Sequence, residues 1–144
     1  PIIFYDKKND IIGCAHAGWK GSISGIIENT IKKFRELDPN NQLVACVGPC
    51  IGKKSYEVGK DFFDKFKIES KNNSDYFQSE NDNKFFFDLR AYVNDKLKKL
   101  GINEIDNISI DTFQDKINFF SYRRSQKLKE IDYGRCISTI CLKT

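Results

Sequence analysis

Two short apolar runs, Ile2-Ile3-Phe4-Tyr5 and Ile11 to Ala17, flank a polar stretch running from Asp6 to Asp10. Runs this short, joined by Lys7-Lys8-Asn9-Asp10, read as the two strands of a hairpin. Gly18-Trp19-Lys20-Gly21 follows as a tight loop, and Ser22 to Leu37 then changes to helical spacing. Ile23, Ile26, Ile27, Thr30, Ile31 and Phe34 share one face of that helix, while Glu28, Lys32, Lys33, Arg35 and Glu36 occupy the other. Ser22 suits the N-cap, and Asp38-Pro39-Asn40-Asn41 ends the helix. A hairpin feeding directly into a strand–helix unit argues against a purely doubly wound sheet. It predicts a mixed α/β fold, with layered mixed β-sheets and helices packed outside them.

The rest of the chain keeps that mixture. Leu43 to Val47 reads as a buried strand, Gly48-Pro49-Cys50-Ile51-Gly52 as a second sharp loop, and Tyr56 to Lys67 as a helix with Phe62, Phe63 and Phe66 inward. Residues 68–84 are rich in Asn, Ser, Asp and Lys and read as a surface loop or insert. Asp88 precedes a further helix to Leu100, with Leu89, Val93, Leu97 and Leu100 inward and Gly101 at its end. Ile108 to Thr112, Phe119 to Arg123 and Arg135 to Leu142 are strand-like. No internal repeat is visible.

At 144 residues the chain has room for one domain with a real core. Hydrophobic residues at 40% and charged residues at 31% exclude a disordered or collagen-like chain. The longest apolar runs, such as Phe85-Phe86-Phe87, are too short to span a bilayer, so no membrane partner is expected. The net charge of +4 comes from interleaved Lys, Arg, Asp and Glu. That pattern is a solvated lysine-rich surface rather than a nucleic-acid patch. The five cysteines are odd in number, follow no secretory signal and lack zinc-knuckle spacing, which points to a reduced, cytoplasmic protein. Cys14 and Cys46 fall in strand-like runs, where Cys packs as a small hydrophobe. The chain has no Met and starts directly on an apolar strand. Two readings fit: an initiator Met trimmed before Pro1, or, as the apolar start favours, the back part of a longer protein, because termini are usually polar and loosely held.

Three stretches can carry chemistry. His16-Ala17-Gly18-Trp19-Lys20-Gly21 lies between a strand and a helix. Its glycines allow close backbone approach, the helix start favours an anion, and Lys20 adds a full charge. By pattern alone it is neither a Walker loop nor a dinucleotide fingerprint, and a tight strand-to-helix turn explains it as well. Gly48-Pro49-Cys50-Ile51-Gly52, followed by Tyr56-Glu57-Val58-Gly59, places a thiol before a helix start, which can lower its pKa; a packing Cys in a rigid turn is the plainer alternative. Phe119-Phe120-Ser121-Tyr122-Arg123-Arg124 offers two aromatics for a flat ring and two guanidiniums for an anion. Equally, it can be a strand with Phe in the core and Arg in solvent.

Taken in order, these three stretches, with Phe87-Asp88-Leu89 before a helix and Gly134-Arg135 near the end, resemble the laccase-domain family. Its members are described as multicopper polyphenol oxidases and as zinc-dependent purine nucleoside phosphorylases with adenosine deaminase activity. The resemblance runs from about Ile11 to Ile140. It implies a fold likened to that of cysteine-dependent hydrolases. It also implies a single zinc, with copper as the alternative, and substrates that are purine nucleosides (adenosine, inosine, methylthioadenosine) and phosphate. The family holds its metal with two histidines and one cysteine. His16 matches one of these histidines, and none of the five cysteines here matches the ligand Cys. Pro1 is similar to the Pro that closes the family's Asp-Cys-x-Pro motif, so the other two ligands are expected upstream of Pro1.

A His₂Cys set with an open position is a catalytic zinc arrangement. The substrate and phosphate contacts implied on this chain are Gly18, Trp19, Lys20, Gly21, Gly48, Pro49, Cys50, Gly52, Arg123 and Arg124. Cys50 is also a candidate nucleophile under a cysteine-hydrolase alternative. Two departures stand out. Lys20 replaces the family's usual Arg and loses its bidentate fork. Asp111-Thr112 stands where the family often has Cys-Thr. One His and no Met argue against several copper centres. A non-catalytic module remains the alternative from a different class.

Overall fold

The computed structural model describes residues 1–143. They fall into two compact units, one built from residues 1–48, 91–108 and 138 onward, the other from residues 49–90 and 109–137. The fold is mixed α/β, with two sheets and helices.

In the first unit, β1 (Ile2–Asp6), β2 (Ile11–Ala15), β3 (Leu43–Val47) and β7 (Glu104–Asn107) form a sheet in the order β2-β1-β3-β7. β1 runs antiparallel to both β2 and β3, and β3 pairs in parallel with β7. Side chains alternate across it: Ile2, Phe4 and Asp6 of β1 and Leu43, Ala45 and Val47 of β3 are buried, and their neighbours are half-buried. Helix α2 (Ile26–Leu37) supplies Ile27, Ile31 and Phe34 to this core, with the Phe34 ring 5.9 Å from that of Phe4. Asp6 is a buried carboxylate made tolerable by donors: the N–H groups of Lys8 and Gln42 and the Asn9 side chain.

The predicted helix 22–37 is two helices. α1 (Trp19–Ile23) ends at Ser24, and Gly25, at φ 85°, starts α2. Ser22 is therefore not an N-cap. It is buried inside α1, with its Oγ donating to the Ala17 carbonyl at 3.1 Å. Cys14 is exposed rather than packed, because β2 is an edge strand and its buried residue is Ala15. Cys46 is half-buried.

The second unit holds β4 (Glu57–Gly59), α3 (Lys60–Glu69), β5 (Phe77–Asn81), β6 (Lys84–Phe87) and α5 (Tyr122–Leu128). Its three-stranded antiparallel sheet has the order β4-β6-β5. The predicted helix from Tyr56 starts only at Lys60, because residues 57–59 pair with β6. The predicted loop over 68–84 is a 3₁₀ turn (Lys71–Tyr76) and a hairpin strand. Phe62, Phe63, Phe66, Phe77, Phe85 and Phe87 form one aromatic cluster, with Phe66 and Phe87 fully buried. Helix α4 (Leu89–Lys99) begins in this unit and continues in the first, where Tyr92, Val93 and Leu97 are buried.

Three strand predictions need correction. Residues 108–112 contribute only a single bridge, Asp111 to Cys50. Phe119 to Ser121 are irregular and α5 follows, with the Ser121 Oγ accepting from the Arg124 N–H. Residues 135–142 form no regular element. Among the described residues no helix is long and apolar enough to cross a membrane.

Candidate functional site

His16 follows β2 directly and is exposed. The backbone folds tightly around it. A Cβ on Gly18 would lie 3.1 Å from the His16 Nε2, and one on Gly21 would lie 3.1 Å from the His16 carbonyl oxygen. The Ser22 N–H closes the turn on the Gly18 carbonyl at 2.8 Å. What the sequence presents as a loop is thus the first turn of α1, with Gly18 as its N-cap. Lys20 is exposed, its ammonium 5.5 Å from the Trp19 ring centre.

The boundary between the units falls between Gly48 and Pro49. Gly48 is buried, and its N–H donates to the Pro1 carbonyl at 2.9 Å. Pro49, Cys50 and Gly52 are half-buried in the second unit. Burial pushes the Cys50 thiol up, and the Arg90 guanidinium, with an N–H 3.4 Å from Sγ, opposes it only partly. The result is a neutral thiol rather than an activated nucleophile.

The two arginines differ. Arg124 donates to the carbonyls of Thr112 at 2.9 Å, Phe113 at 3.0 Å and Phe119 at 2.5 Å, so three of its N–H groups pin backbone. Arg123 uses Nη1 on the Glu57 carbonyl at 2.5 Å and lies over the Tyr56 ring, 5.3 Å from its centre. Burial drives the Tyr56 hydroxyl up to about 12, with Arg123 pulling against it, so it stays a neutral O–H. Phe119, Phe120, Ser121, Arg124, Tyr133 and Gly134 line part of a cavity of about 420 Å³.

The first unit therefore carries His16, Gly18, Trp19, Lys20, Gly21 and Gly48. The second carries Pro49, Cys50, Gly52, Arg123 and Arg124. The sequence alone gave no site role to Ser55, Arg90, Asp111 or Gln114, which surround Cys50 and the end of its loop. Their only signal was the unusual acid at position 111. Among the described residues no three His, Cys, Asp or Glu side chains are grouped to hold a metal ion. His16 by itself does not make a metal centre.

A family model described as multi-copper polyphenol oxidoreductase laccase matches residues 1–143. A purine nucleoside phosphorylase of Rickettsia conorii is 40% identical over 144 residues, covering 99% of this chain and 60% of that protein. Purine nucleoside phosphorylase YfiH of Escherichia coli is 29% identical over 127 residues, covering 88% of this chain and 51% of that one. The crystal structure of a Neisseria meningitidis protein superposes with a TM-score of 0.77 at 31% identity, over 85% of this chain and 50% of that chain. A Bacillus licheniformis hypothetical protein YfiH superposes at 0.79 and 28% identity, over 87% and 49%. The chain thus spans between about half and 60% of the length of these relatives.

Proposed function

The chain belongs to the multi-copper polyphenol oxidoreductase laccase family, and from that premise we propose that it is part of a purine nucleoside phosphorylase acting on adenosine, inosine and methylthioadenosine. The observation that carries this reading is the 40% identity over 144 residues to a relative named purine nucleoside phosphorylase. Adenosine deamination at the same enzyme, a single zinc and a cytoplasmic location complete the proposal, with copper as the alternative metal. His16 is this chain's donor to the metal. When bound, such a zinc supplies Lewis acidity and an activated water.

Phosphorolysis needs phosphate held in line with the ribose carbon, and charge stabilised as the purine departs. On this chain the exposed Lys20 offers one positive group. The Arg123 guanidinium offers N–H groups beyond the one spent on Glu57. The rings of Phe119 and Phe120 give faces on which a purine can stack. Arg124, a further candidate for phosphate, also fixes the backbone of 112–119 and lines the cavity with Phe119 and Phe120. The raised thiol of Cys50 speaks against a cysteine-hydrolase mechanism.

The test is base release from inosine and adenosine by the purified intact enzyme of which this chain is part, loaded with zinc, with and without inorganic phosphate. Release should depend on phosphate, and R123A, in the second unit, should raise the KM for phosphate by about tenfold or more. Phosphate-independent release, or unchanged kinetics in R123A, would overturn the proposal.

A further inference from the structure

The end of the Cys50 loop is tied down by one carboxylate from a distant stretch of the second unit. Cys50 and Asp111 form a single parallel bridge, and the Thr112 N–H donates to the Cys50 carbonyl at 3.1 Å. Asp111 Oδ2 accepts from the Ser55 hydroxyl at 2.6 Å, and Oδ1 from the Phe113 N–H at 2.9 Å. The Gly52 N–H also donates to this carboxylate. Gln114 Nε2 donates to the Ser55 Oγ at 3.1 Å, which leaves the hydroxyl proton for Asp111. A Cβ on residue 52 would lie 2.6 Å from Asp111 Oδ2, so the loop reaches the carboxylate only because residue 52 is glycine. Arg90 completes the enclosure, with one nitrogen 3.4 Å from the Cys50 Sγ and 3.1 Å from the Ile110 carbonyl.

We propose that Asp111 is the positioning residue of the Pro49–Gly52 loop, holding residues 52 and 55 against 111–114 and thereby keeping the Cys50 thiol enclosed beside Arg90. Burial raises the Asp111 carboxyl, but hydrogen bonds from Ser55, Gly52, Phe113 and Gln114 outweigh it and hold the group below the usual carboxylate range. It is therefore an ionised, acceptor-only anchor at neutral pH, and each donor aimed at it is a charge-assisted bond. Short Gly-Pro loops bury few apolar atoms, so such bonds decide their conformation. The loop is one of the segments assigned to substrate above, and the proposal rests on that reading only for its catalytic consequence.

The test reads the thiol, so it does not depend on catalysis. Alkylation by iodoacetamide is followed residue by residue by mass spectrometry in the full chain, with Cys46 of the first unit as the internal control. D111A and G52A should each raise the Cys50 rate about tenfold, with the Cys46 rate constant within about twofold. G52A removes no charge, so its effect separates loop position from the electrostatic effect of losing Asp111 on the thiol. The double variant should react no faster than D111A alone, because removing the carboxylate also removes the clash with the new Cβ. An unchanged Cys50 rate in either single variant, additive rates in the double, or a parallel rise at Cys46 would each overturn the assignment. Unchanged phosphorolysis in D111A and G52A with these labelling results intact would count against the substrate role of the loop and leave this assignment standing.

Discussion

Asp38 shows how single side chains set local stability here. Hydrogen bonds from Lys8 Nζ and the Asn9 amide come first, and the Asn40 N–H adds to them. Together they hold the carboxyl down to about 2, against a smaller opposing effect of burial. Because the folded value lies below the unfolded value of 3.8, the stabilisation is fully present above about pH 4 and is lost as pH falls through about 2. Urea midpoints measured from pH 5 down to pH 2 should fall in the parent and fall less steeply in D38N; identical slopes would show that Asp38 is not coupled to folding. Asp38 also illustrates what could be read early: Asp38-Pro39-Asn40-Asn41 announces a helix end without naming Lys8 as the partner 30 residues away. Arg124 is the opposite case. The fold points its guanidinium at three carbonyls, 5 to 12 residues away, which its charge does not announce. A pair of adjacent arginines carries no local signal of which one will be enclosed.

At the level of elements, the junction of α1 and α2 depends on Gly25. Its φ of 85° is open to glycine and costly for a residue with a Cβ. Gly59, at the start of α3, has φ −84° and nothing within 4 Å of a built Cβ. G25A should therefore cost about 1 kcal/mol in urea unfolding, while G59A should stay within about 0.5 kcal/mol; equal costs would refute this account of the junction. The apolar spacing of Ile26, Ile27, Ile31 and Phe34 made α2 legible, and Leu43 to Val47 matched its strand residue for residue. β5 was not legible because it is an edge strand with four exposed residues, formed by pairing with β6 and not by alternating burial. α5 was missed because Phe119, Phe120 and Tyr122 look like strand residues, while the deciding signal was Ser121 as N-cap.

Across the whole molecule, each unit carries its own core. In the second, Phe87 is fully buried and its ring centre lies within 5.6 Å of those of Phe62, Phe66, Phe77 and Tyr56. F87A should cost about 3–5 kcal/mol, since it leaves a cavity among rings that cannot all collapse inward. Phe85 is only half-buried and stacks mainly on Phe63 at 4.4 Å, so F85A should cost roughly 1–2 kcal/mol. Equal losses in urea midpoint for the two variants would mean the cluster is not organised around Phe87. The chain by itself determined the mixed α/β class, the hairpin, α2, β3, α4 and the family motifs, because periodicity, breakers and ordered motifs are local properties. The tertiary structure decided which charges are spent on the protein itself and which polar groups meet. Arg124 on its carbonyls, Asp111 on Ser55 and Gly52, and Arg90 beside Cys50 all join residues 5 to 59 positions apart. Hydrogen bonds of that kind follow from packing, which no local pattern records.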